Sequence, residues 1–229
     1  MISKKYKFIF IHIPKTAGES MEDSFSRLEG GYTWNFHNTH TEEAKKINDV
    51  FFPIRGSQLA RTIEANPQFK LITFVRNPWD RFVSLYLHSL AIRKREGLKI
   101  VSFSDYILVA EEFYKNREDH NFSHPNITGF DTFHLRFKQV EYIPHLNKKY
   151  LESNVDGTLY PNIFIGRFEN LQEDFNKIQE ELNLPILTLP HHKHHNEKRV
   201  PYKEMYNEKD KSRIEKFYEE DICEFKYIF

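Results

Sequence analysis

Two short stretches of the 229-residue chain hold the residue types that anion chemistry needs. Pro14-Lys15-Thr16-Ala17-Gly18-Glu19-Ser20 combines an ammonium, two hydroxyls and a glycine where an apolar run, Phe8 to Ile13, gives way to a charged helical pattern. Such a turn at a helix N-terminus presents backbone N–H groups, the positive end of the helix dipole and the lysine to a tetrahedral anion. The second stretch, Arg76-Asn77-Pro78-Trp79-Asp80-Arg81-Phe82-Val83-Ser84, puts an arginine after another apolar run and a serine two turns into the helix that follows. A fixed guanidinium with a hydroxyl so placed suits a separate phosphate. Arg81, Ser84 and His88 share one helix face, although Arg81 itself reads better as a surface charge or a local salt-bridge partner than as a ligand.

The order within the first turn excludes one familiar reading. A nucleoside triphosphate loop runs Gly, four residues, Gly-Lys-Ser/Thr, whereas here Lys15 precedes Gly18 and Pro14 opens the turn. Taken alone the turn reads equally as a strand-to-helix connection with a surface lysine; Arg76 and Ser84 favour binding.

The elements that must position these residues are strand-turn-helix units. Phe8 to Ile13, Leu71 to Val75 and Asn162 to Gly166 have the continuous apolar character of buried parallel strands. Behind the first, Met21, Phe25 and Leu28 fall at helical spacing, with Glu19, Glu22 and Asp23 supplying early acid for the macrodipole. Behind the second, Asn77 is a helix cap and Pro78 a first helical residue; the helix extends to about Arg95 and buries Trp79, Phe82, Val83, Tyr86 and Leu90. Behind the third, Leu171, Phe175, Ile178 and Leu182 form a stripe that ends near Pro185. A helix over Ser104 to Arg117 and a C-terminal one carrying Ile214, Phe217, Tyr218 and Ile222 complete the set. Residues 118 to 160 and 183 to 207 lack a sustained period, as substrate-contacting segments often do. The expected fold class is α/β, a central, mainly parallel sheet flanked by helices in one domain spanning residues 1–229.

Composition limits the partners. Lys plus Arg and Asp plus Glu both number 33, so no bulk charge draws the chain to nucleic acid or a membrane surface, and any anion site is local. The negative mean hydropathy and 21 Phe with 12 Tyr describe a soluble globular chain. Cys223 is the single cysteine, which excludes an intramolecular disulfide and a cysteine zinc site and fits a reducing compartment. After the basic start, six residues from Phe8 to Ile13 precede Pro14, too few for a signal or membrane span. A cytoplasmic location is the expectation.

"FIHIPKTAGES" together with "FVRNPWDRFVSLYLH", followed by "IGRFENLQEDF", resembles the sulfotransferases that use 3′-phosphoadenosine 5′-phosphosulfate, in the branch of carbohydrate O-sulfotransferases and many bacterial relatives. "LPHHKHHNEKR" and "YEEDICEFKYIF" extend the resemblance over nearly the whole chain. It implies a nucleotide-kinase-like fold without the triphosphate loop. Lys15, Thr16, Ala17, Gly18, Glu19 and Ser20 would hold the 5′-phosphosulfate and Arg76 and Ser84 the 3′-phosphate, with Lys198 and Arg199 as further contacts. One nucleotide with two separated anionic groups accounts for two separated sites, as a triphosphate would not.

Sulfuryl transfer is an in-line displacement in which positioning and electrostatics dominate. Lys15 is the expected cation at the bridging oxygen, and moving a monoanionic group needs no metal in principle. The acceptor, a saccharide hydroxyl, needs a base, and histidine is the usual choice. Among 12 histidines, His40 stands out: in bacterial relatives a histidine followed by threonine and a helix lies at about this place. His37 and Glu19 stay open as alternatives, and Glu19 has no firm role. His12 reads as a hydrogen-bonded structural histidine, and His191, His192, His194 and His195 as a solvated loop rather than a zinc site. Arg167 could face the site or pair with Glu169. Other functions that the residues allow are a small-molecule or nucleotide kinase and a non-catalytic nucleotide- or carbohydrate-binding protein.

Overall fold

A computed structural model of the chain describes residues 1–28, 31–32, 58–117, 124, 126–127, 131, 134–135, 137–144, 162–190 and 200–229. Two compact units emerge, one formed by Met1–Val75 with Gln139–His194 and the other by Arg76–Lys138 with His195–Phe229.

The first unit carries the sheet. Its strands are β1 (Ile2–Ser3), β2 (Phe8–Ile11), β3 (Gly31–Tyr32), β4 (Lys70–Val75) and β5 (Ile163–Arg167), in the order β3-β1-β2-β4-β5. The three strands expected from the apolar runs are adjacent and parallel: Phe10 pairs with Ile72, and Ile72 with Phe164. β1, antiparallel to both β2 and β3, makes the sheet mixed. At two residues, it is too short for any period to announce it. β5 is half-buried except at Gly166, because it stands at the sheet edge among the described strands and lacks a neighbour on one side.

One sheet face meets α1 (Gly18–Ser26) and α5 (Leu171–Glu181). Phe8, Phe10, Ile72 and Phe74 from the strands pack with Met21, Phe25 and Leu28 and with Phe175 and Ile178. The Phe25 ring lies 4.9 Å from Phe8, 5.6 Å from Phe10 and 5.7 Å from Phe175, centroid to centroid. Each buried phenylalanine contributes about 1.5–3 kcal/mol by leaving water. Gly166 admits the close approach of β5 to β4, since a Cβ there would come within 2.3 Å of the Phe74 ring. A further helix, α2 (Gln58–Glu64), buries Leu59, Ala60 and Ile63.

The second unit is helical: α3 (Pro78–Glu96), α4 (Phe103–Lys115), α6 (Glu208–Phe217) and α7 (Glu219–Phe225). Asn77 Oδ1 accepts from the backbone N–H of Trp79 and Asp80, Pro78 takes the first helical position, and Gly97 in the left-handed region ends α3. Trp79, Phe82 and Val83 are buried as expected, while Tyr86 and Leu90 are half-buried. The start of α4 falls one residue earlier than its pattern suggested because Ser102 caps it, accepting from Asp105 N–H. The C-terminal pattern, read as one helix, is two: Tyr218 leaves helical geometry between α6 and α7, and its ring stays buried 6.2 Å from that of Phe82.

A buried ion pair organises this unit from residues distant in sequence. Arg93 Nη2 donates to Asp131 Oδ2 at 2.8 Å, and the Tyr106 hydroxyl donates to Asp131 Oδ1 at 2.8 Å. Burial, reinforced by the Asp131 charge, raises the Tyr106 phenol well above its ordinary pKa, so it remains a donor. Among the described residues no helix is long and apolar enough to cross a membrane.

Candidate functional site

The turn after β2 keeps a backbone that its residue types do not favour. Lys15 and Ala17 have φ of 68° and 69°, a left-handed conformation that costs a residue with a Cβ about 1–2 kcal/mol. Ala17 is also the N-cap of α1 and offers no side-chain oxygen to the first-turn N–H groups. The helix therefore begins with its donors and its positive dipole end directed to the turn, the arrangement that receives anions elsewhere.

The side chains divide in function. Thr16 is buried and its hydroxyl donates to the Ile13 carbonyl at 2.8 Å, closing the turn on itself. Its proton is thereby committed, and what Thr16 can offer an anion while that bond persists is its main-chain N–H. Lys15 is half-buried, Ser20 is 9% exposed, and Glu19 is exposed in the first turn of α1, where acid complements the macrodipole.

Behind the turn stands an interaction that the sequence pattern did not reveal. His12 Nδ1 lies 3.1 Å from Glu22 Oε2, and its ring abuts Gly18 so closely that a Cβ at position 18 would meet Cδ2 at 2.1 Å. The expected hydrogen bond to His12 is present. Glu22, assigned from sequence to the macrodipole alone, is its partner.

In the second unit, Arg76 follows the last residue of β4 and is 3% exposed. Its Nε and Nη2 both approach Asp80 Oδ2, at 2.8 and 2.7 Å, so the guanidinium is fixed by a carboxylate one helical turn ahead. The i, i+4 spacing was a signal for Asp80 that sequence reading passed over. Ser84 is half-buried on α3. The surface-charge reading of Arg81 is overturned: the residue is fully buried, with its guanidinium carbon 6.0 Å from the Tyr218 ring centre. His88, farther along the same helix, stacks on His134 with centroids 6.4 Å apart.

Arg167 is the last residue of β5, and its N–H donates to Asp174 Oδ2 at 2.8 Å. His37, His40, the His191 to His195 run, Lys198 and Arg199 lie outside the described residues.

A family model described as the sulfotransferase family matches residues 1–228. The chain belongs to the sulfotransferase family. Sulfuryl transfer is thus the general chemistry of this sulfotransferase, and its family implies a nucleotide donor and an acceptor. A crystal structure of a sulfotransferase from Alicyclobacillus acidocaldarius is similar at 16% identity and a TM-score of 0.45, covering 93% of this chain and 95% of that chain. No curated protein matches by sequence.

Proposed function

We propose that this sulfotransferase moves the sulfuryl group of 3′-phosphoadenosine 5′-phosphosulfate to a carbohydrate hydroxyl. The observation that carries the reading is the Lys15 turn: a left-handed backbone at Lys15 and Ala17, opening onto the N-terminus of α1 without a side-chain cap. A phosphosulfate suits it, because its oxygens take up several N–H donors and a cation together. Arg76 and Ser84 are assigned to the 3′-phosphate. Arg76 supports this by being a guanidinium already oriented by Asp80, and Lys198 and Arg199 are assigned to the same nucleotide.

In the reaction proposed, the acceptor oxygen forms a bond to sulfur as the bond from sulfur to the bridging oxygen breaks. Negative charge grows on the departing 5′-phosphate, and Lys15 with the first-turn N–H groups of Ala17, Gly18, Glu19 and Ser20 would stabilise it. His40 would take the acceptor proton. The transfer is proposed to need no metal. The full span of residues 1–229 is read as one sulfotransferase domain acting in the cytoplasm, where the exposed thiol of Cys223 would stay reduced.

A thermal-shift comparison tests the donor. Adenosine 3′,5′-bisphosphate at a hundred times its dissociation constant is expected to stabilise the protein by about 2.7 kcal/mol, more than ATP with magnesium does. A preference for ATP would overturn the reading in favour of a kinase, and stabilisation without turnover of the sulfated donor would make the protein a binding protein.

The base is tested separately. His40→Ala is expected to lower turnover by roughly 10²–10⁴-fold while bisphosphate binding, followed by calorimetry, stays near the parent value. Near-normal turnover would move the role to His37 or Glu19.

A further inference from the structure

We infer that His12, held by Glu22, is a positioning residue that sets the Lys15 turn for the 5′ end of the donor. The inference rests on the proposed donor and adds to it two residues that do not themselves meet the anion.

His12 interrupts an otherwise apolar run immediately after β2, and its ring is wedged between the strand end and the start of α1. Gly18 and Glu22 are four residues apart on α1 and therefore on one face. The imidazole lies along that face, its Cδ2 and Nε2 at 2.1 and 2.2 Å from where a Gly18 Cβ would be, and its Nδ1 at 3.1 Å from Glu22 Oε2. The ring thus limits how near the first turn of α1 comes to the strand, and the carboxylate holds the ring at Nδ1.

The anion turn spans the residues between these two contacts. Its left-handed backbone at Lys15 and Ala17 persists only if the surroundings over-determine it. The Thr16 to Ile13 hydrogen bond constrains it from within, and the His12 wedge constrains both of its ends.

Glu22 carries a cost that packing alone does not explain. Its Oε1 is buried with no hydrogen-bond partner among the described residues, and side chains of both His12 and Glu22 are largely buried, at 15% and 13% exposure. An apolar pair would fill the same space without the desolvation of a carboxylate. Such a pair would not hold a ring in one orientation, which a polar pair does.

The test compares ligands that differ only at the turn. Dissociation constants for adenosine 3′,5′-bisphosphate and adenosine 3′-monophosphate are measured by calorimetry on the parent protein, Glu22→Ala, Glu22→Gln and Gly18→Ala, alongside melting temperatures. In Glu22→Ala the bisphosphate is expected to weaken by roughly tenfold or more, the scale of lost orienting partners, with the monophosphate unchanged. Glu22→Gln, which keeps an acceptor for Nδ1–H, should recover most of the difference, and Gly18→Ala should behave like Glu22→Ala. Should Gly18→Ala fail to fold, the two Glu22 variants still decide. A Glu22→Ala protein that melts lower yet keeps the parent's preference for the bisphosphate, or weakens for both ligands equally, would overturn the positioning role alone. A parent protein without that preference would overturn the donor assignment and this inference with it.

Discussion

Lys15→Ala is expected to lower sulfuryl transfer by roughly 10²–10³-fold and to weaken the donor as well. Lys15 is the cation assigned to the bridging oxygen, where charge appears only as the sulfur–oxygen bond breaks. Removing one such preorganised group costs roughly 10²–10³-fold in kcat. Because the ammonium also meets charge already present in the ground state, adenosine 3′,5′-bisphosphate should lose about 1.5–3 kcal/mol of affinity, the range for a hydrogen bond to a charged group. The substitution leaves the turn's backbone strain as it is: Lys15 is half-buried, and alanine keeps a Cβ at the same left-handed φ of 68°. Single-turnover kinetics with saturating donor separates the two losses. Equal turnover in the parent and the variant would remove Lys15 from the chemistry. Lys15→Arg should restore binding better than turnover, since a planar fork replaces a point charge.

The second large effect is a difference between two nucleotides. Arg76→Ala is expected to cost adenosine 3′,5′-bisphosphate about 1.5–3 kcal/mol, while adenosine 5′-monophosphate, which lacks the 3′-phosphate, binds the variant and the parent alike. Arg76 is 3% exposed and its pairing with Asp80 holds the guanidinium in place before any ligand arrives, so little entropy is lost when it meets a phosphate. The variant leaves the Asp80 carboxylate without this cation, and the melting temperature should fall for that reason. Parallel loss of both nucleotides would show that only the corner had been damaged. Arg76→Lys is the control, expected to bind poorly because one ammonium cannot reproduce the fork that serves Asp80 and a phosphate together.

Much of what positions these residues was local, and local chemistry is legible. β2 and β4 were visible as apolar runs because strands covered on both faces do not alternate; β2, with all four residues buried, is the clearest. The start of α3 was visible because a cap and a proline act within a few residues. The irregularity of the first turn, a lysine ahead of its glycine, was visible in residue order alone. The missed features share a cause: β1 is two residues long, too short for periodicity, and Tyr218 divides the C-terminal pattern without a glycine or proline to announce it.

The sequence by itself determined the family, through motifs spread along the chain, and the α/β class, the Lys15 turn and the Arg76 corner, each through residues close together. Only the tertiary structure decided which groups those residues answer to. Arg81 looked like a surface charge on a helix and is fully buried beside Tyr218. Arg93 pairs with Asp131, 38 residues away, and Glu22 turns out to hold His12 against Gly18. Burial and long-range pairing arise when separate elements pack, and no spacing along one element encodes which neighbour will be brought against it.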